Sequence, residues 1–150
     1  KSMRQTLAHP AFLWGSRVIL AAVFLLYGAS KIPHLSGFAT SIHNYRLLPI
    51  QYVNILAVTL PWIEVATAVA LLRRSWLPGG VVVVCGMMLA FIAAIVSAIV
   101  RGLDINCGCF TLSDASATYN NLWQHFFLDI VLLALAIHLW WAYRRQTEAG

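Results

Sequence analysis

Two cysteines one residue apart, Cys107 and Cys109 in the stretch "RGLDINCGCF" at 101–110, are the residues best placed to do chemistry in this sequence. Gly108 between them carries no Cβ and lets the chain bend enough to bring the two sulfurs together. A disulfide closing so small a ring removes little unfolded-chain entropy, so it is a poor staple. A strained, exposed disulfide is instead labile and oxidising, which suits exchange with another thiol. Two readings stand beside exchange. Paired thiolates can hold a soft ion such as Cu(I) or Hg(II), or the bridge can be purely structural. Zinc is not expected, because four clustered ligands are not evident, and no other metal site is expected.

Further along, His125 and Asp129 are four apart and share a helical face. An ionisable residue inside an apolar segment is costly and faces a partner. Lys31 ends an earlier apolar segment and has the reach to be that partner. The pair reads either as a proton relay beneath the cysteines or as a buried structural contact. Arg17 and Glu64 lie at matched depths when each is counted from its own segment's end, and the expectation is a buried Arg17–Glu64 ion pair that fixes helix register. Pro61, one turn before Glu64, is expected to kink that helix. Cys85, the remaining cysteine, sits in an apolar run and reads as inert packing. His138 reads as an interfacial histidine.

These groups need a scaffold, and composition names its class. Of 150 residues, 61% are hydrophobic and only 10% charged, against about 25% charged in soluble domains. Such a chain cannot cover a surface in water, so a membrane protein is expected. The net charge of +5 comes from ten basic residues placed mostly at the ends of apolar runs. With no Gly-rich phosphate loop and no basic-aromatic stripe, this charge reads as an orientation signal rather than a nucleic-acid surface.

Four runs approach or exceed the roughly 20 residues that cross a bilayer as helix: about 11–30, 52–72, 77–100 and 122–143. In lipid every backbone group must pair within its own segment, so even "VVVV" reads as helix. The first run is longer than the apolar core of a signal peptide and contains Arg17, so it is expected to be retained. Between the first two runs, Phe38, Ile42, Tyr45 and Leu48 have the spacing of a short amphipathic helix lying in the interface, bracketed by Pro33 and Pro49. The fold class expected is therefore all-α: one integral membrane four-helix bundle with an interfacial helix between helices 1 and 2.

Lys1, Arg4, Arg73, Arg74, Arg144 and Arg145 flank one side, whereas only Lys31, Arg46 and Arg101 flank the other. By the positive-inside rule both termini lie in the cytoplasm. The Cys-Gly-Cys loop then faces the periplasm or the exterior of a prokaryotic inner membrane, where disulfides persist.

The phrases "VFLLYGASKI", "YRLLP", "LPWIEVATAVALL" and, most specifically, "RGLDINCGCF" together resemble the MauE branch of the DoxX-like membrane family, in order along nearly the whole chain. The resemblance implies a four-helix redox-associated membrane protein working with a periplasmic thioredoxin-like partner, as in disulfide formation during methylamine dehydrogenase maturation. A more distant architectural similarity is to the DsbB and vitamin K epoxide reductase group, which passes electrons from thiols to quinone. Carried over by position, Cys107 and Cys109 are the redox pair. A second outward cysteine pair and a fused thioredoxin domain are both missing here, so a separate protein must supply the other dithiol unless the pair meets a quinone directly. The expected function is thiol–disulfide exchange, with quinone as the expected cofactor where the pair is linked to one. The alternatives are a soft heavy-metal subunit or a non-catalytic assembly factor.

Overall fold

Helix α1 opens at Pro10, where a missing N–H leaves no bond unmade, and the His9 ring accepts a hydrogen bond from the Ala11 N–H at 3.3 Å. A computed structural model of the chain describes residues 9–103 and 119–148, with 119–122 as backbone alone. Helix α1 spans Pro10–Lys31 and passes through a 3₁₀ turn, Ile32–His34, into the short helix α2, Leu35–Asn44. Helices α3 (Ile50–Leu72), α4 (Leu77–Val100) and α5 (Tyr119–Glu148) complete the chain. All regular structure among the described residues is helical, and four helices are long and apolar enough to cross a membrane. The expected four-helix architecture and the short helix between its first two members are what the structure shows.

Each helix buries one stripe. In α3 the buried positions are Val53, Ala57, Pro61, Glu64, Thr67, Ala68 and Leu71, which recur at the three-and-four spacing of a single helical face. Leu20, Phe24, Gly28 and Lys31 form the corresponding stripe of α1. On α5 it is Asp129, Leu132, Ala136 and Leu139. Helix α1 packs most extensively on α3 and α4 on α5, while α3–α4 and α1–α5 contacts close the ring. The outward faces stay apolar, as with Leu26 at 67% and Ile55 at 60% exposed, because lipid rather than water surrounds a spanning bundle.

Two features tie the end of the bundle that carries Lys31. Helix α4 terminates in a Schellman motif: Gly102, at φ +64°, lets the Leu103 N–H reach the Ala98 carbonyl at 2.9 Å and its own N–H reach Ile99 at 3.1 Å. At that same end, the Arg101 guanidinium donates to the Tyr45 carbonyl at 2.8 Å. Tyr45 caps α2, and the following Arg46 takes a left-handed conformation at φ 50°, which costs a non-glycine residue about 1–2 kcal/mol. The Arg101 bond thus holds a strained turn against α4.

Candidate functional site

The stripes of α1, α3 and α5 each carry a charged residue inward, and this places ionisable groups in the interior of the bundle. Lys31 is 1%, Glu64 3% and Asp129 0% exposed. The Lys31 ammonium donates to Glu64 Oε1 at 2.7 Å. It also lies 4.8 Å from the centre of the Phe38 ring and 5.8 Å from that of Phe91, distances at which the ring faces attract a cation. Phe38 belongs to α2, so the short helix covers the ion pair and is more than an interfacial anchor.

This geometry corrects the expected Arg17–Glu64 pair. Arg17 instead donates through Nε to the Leu71 carbonyl at 3.0 Å and through Nη2 to the Leu72 carbonyl at 2.8 Å. It caps the C-terminus of α3, where the last carbonyls have no partner within the helix. Counting depth from each helix's own end assumed that the ends are level. They are not, because Arg17, the eighth residue of α1, reaches the very end of α3. Glu64 lies eight residues before that end, or about 12 Å further along the bundle at ~1.5 Å per residue.

Gly28 shows which part of α1 faces Glu64. A Cβ placed there would meet Glu64 Cβ at 2.9 Å and the Pro61 carbonyl oxygen at 3.0 Å. Lys31 follows one turn later on the same stripe. The sequence held two signals for this pairing: a glycine three residues before a lysine, and a proline three residues before a glutamate. The glycine marks a face where helices approach closely, and the proline frees a carbonyl of its own helix.

Lys31 and Asp129 interact electrostatically, as the sequence suggested, but the hydrogen bond of Lys31 goes to Glu64. Both Asp129 oxygens and Glu64 Oε2 are buried without a hydrogen-bond partner among the described residues. One ammonium therefore faces two carboxyl groups. A buried carboxylate lacking donors is costly, and Lys31 is the cation that offsets that cost for Glu64. His125 lies one turn from Asp129 and is half-buried, and no hydrogen bond joins the two. Burial first, and then the charge of Asp129, push the Tyr45 phenol well above its ordinary range. Tyr45 accordingly stays neutral at working pH.

Beside this cluster an apolar cavity of about 280 Å³ opens between α2, α3 and α4, lined by Phe38, Ile42, Tyr45, Leu48 and Phe91 among others. Of the four residues expected on the interfacial helix, Phe38 and Ile42 lie in it and are buried or half-buried, Tyr45 is its buried cap, and exposed Leu48 lies beyond it. Cys85 is half-buried as a free thiol against the core. His138 packs edge-on to Phe12, with ring centres 5.6 Å apart. Cys107 and Cys109 lie outside the described residues. Among the described residues no group of three His, Cys, Asp or Glu side chains could hold a metal ion.

No solved structure matches the chain. It is 34% identical over 109 residues to the methylamine utilization protein MauE of Paracoccus denitrificans, covering 72% of this chain and 59% of that one. The protein of the same name from Paracoccus versutus is 32% identical over the same shares. That from Methylophilus methylotrophus is 36% identical over 91 residues, 58% of this chain and 48% of that one. The chain thus matches at most about 59% of the length of these relatives. The family described as methylamine utilisation protein MauE is matched over residues 9–142, nearly the whole sequence, and the chain belongs to the MauE family.

Proposed function

We propose that the chain is a membrane thiol–disulfide oxidoreductase whose Cys107 and Cys109 exchange disulfides with a thioredoxin-like partner. What supports this reading is the Cys-Gly-Cys phrase itself, whose small-ring disulfide suits exchange, and its position in the sequence. Cys107 comes four residues after Leu103, which completes the Schellman motif closing α4, and the bundle interior buries Lys31, Glu64 and Asp129. In the exchange, a partner thiolate attacks one sulfur of the Cys107–Cys109 disulfide, that S–S bond breaks, and a mixed disulfide forms. The partner's second thiolate then displaces it, leaving the partner oxidised and both Cys107 and Cys109 reduced. The reverse sequence runs when the partner has the higher potential.

Each thiolate formed or consumed changes the local charge, and Asp129 with His125 serves as the group that gives or takes the accompanying proton. The apolar cavity suits a planar ring: Phe38, Phe91 and Tyr45 would hold a quinone, which when bound supplies a two-electron, two-proton couple. In this reading the chain resides in the inner membrane of a prokaryote with both termini cytoplasmic and the cysteine loop periplasmic.

Mass mapping of alkylated cysteines before and after reduction tests the proposal. Cys107 and Cys109 should be protected until reduced, and a Cys107→Ser or Cys109→Ser variant should trap a mixed disulfide with a thioredoxin-like dithiol. Free thiols under oxidising conditions would end the exchange reading. Stoichiometric soft metal lost on either replacement would favour the metal-binding alternative, and full activity of the doubly replaced chain would favour a non-catalytic assembly factor.

A further inference from the structure

The opposite end of the bundle holds five described arginines, and two of them share one cavity. Arg73 lies 5.0 Å from the centre of the Trp76 ring and Arg145 lies 3.4 Å from that of Trp141. Arg144 is 3.9 Å from Glu148. Arg17, whose guanidinium carbon lies 5.9 Å from the centre of the Trp14 ring, and Arg74 both line a cavity of about 290 Å³ between α1, α4 and α5, together with Trp14 and Tyr143. The two guanidinium charges repel one another. No carboxylate pairs with either among the described residues. The cavity wall also includes Leu77, the first residue of α4, so the positive end of a 24-residue helix adds to the same field. A second opening of about 420 Å³ shares Arg74, Tyr143 and Gln146 and leads on past Ser75 and Thr147.

We propose that this cavity binds the phosphate headgroup of an anionic phospholipid. Two like charges held together at a helix N-terminus without an acidic side chain call for an anion. The position selects its source. The cavity lies at the level where α3 ends and α4 begins and is lined by Trp14 and Tyr143, while Trp76 and Trp141 adjoin its wall residues Leu77 and Ala142 in sequence. That is the aromatic belt of a membrane–water boundary, where headgroups reside. Basic pockets between spanning helices at such boundaries take anionic lipid. Arg17 is committed through Nε and Nη2 to the α3 carbonyls and so brings a fixed charge, while exposed Arg74 supplies the adjustable contact. This assignment is independent of the cysteine chemistry proposed above.

The test measures retention of phosphatidylglycerol and of phosphatidylcholine by the purified full chain, using native mass spectrometry from mixed micelles. Arg74→Gln is the principal variant, because Arg17 also caps a helix and its loss can unfold the protein. A helical melt confirms that the variant is folded. Phosphatidylglycerol should be retained over phosphatidylcholine, and Arg74→Gln should weaken that retention about fivefold, the worth of one basic residue near an anionic surface. Excess inorganic phosphate should not displace the lipid. Equal retention of the two lipids, an unaffected Arg74→Gln, or displacement by free phosphate would each overturn the assignment, the last by making this a site for soluble anions.

Discussion

Replacing Gly28 by alanine puts the α1–α3 contact to a test whose sign is diagnostic. In an ordinary helix the change stabilises, because glycine in a helix interior costs about 1 kcal/mol relative to alanine. At Gly28 the new methyl carbon would lie 2.9 Å from Glu64 Cβ, 3.0 Å from the Pro61 carbonyl oxygen and 3.2 Å from Val65 Cγ2. Two of these atoms are fixed by the α3 backbone and cannot rotate away, so α1 and α3 must separate. Overpacking of this kind costs roughly 1–3 kcal/mol. Set against the propensity gain, Gly28→Ala should be neutral to about 2 kcal/mol destabilising. Gly86 in α4 is the control, since a Cβ there meets nothing within 4 Å, and Gly86→Ala should stabilise by up to about 1 kcal/mol. Unfolding of both variants in a mild detergent, followed by circular dichroism, gives the comparison. If Gly28→Ala proves as stable as Gly86→Ala, the close approach that seats Glu64 beside Lys31 is refuted.

Breaking the buried pair on one side by Lys31→Met should cost roughly 3–5 kcal/mol, because Glu64 loses the ammonium that it accepts from. The paired change Lys31→Met with Glu64→Leu should recover most of that loss, and additive losses in the same unfolding assay would show that the two residues are not coupled. Asp129→Asn keeps the shape of a buried side chain and removes its capacity to exchange a proton, which the proposed relay requires. The bundle should remain at least as stable and the Cys107–Cys109 disulfide should still form. Turnover with a thioredoxin-like dithiol should fall about 100-fold or more, the usual worth of a positioned acid or base. Unchanged turnover would remove Asp129 from the mechanism.

The architecture was legible because lipid imposes few solutions. Runs of apolar residues at spanning length must be helices, and the observed α3 and α4 differ from the expected 52–72 and 77–100 by at most two residues. Asp129 was recognisable as inward-facing, since it shares a stripe with Leu132, Ala136 and Leu139. The cysteine phrase, with its family resemblance, came from sequence alone, and it lies outside the described residues.

What sequence could not supply was the relative height of the helices. Depth counted along one helix is fixed at ~1.5 Å per residue, but the offset between helices depends on which side chains interlock. Gly28 sets that offset by admitting α3 closely at Glu64, which moves Glu64 away from Arg17 and onto Lys31. Arg17 is thereby left at the end of α3 to cap its carbonyls and to line a basic cavity with Arg74. Which helices cross the membrane is a local property of composition. Which charges meet inside them is a property of packing, and only the tertiary structure decided it.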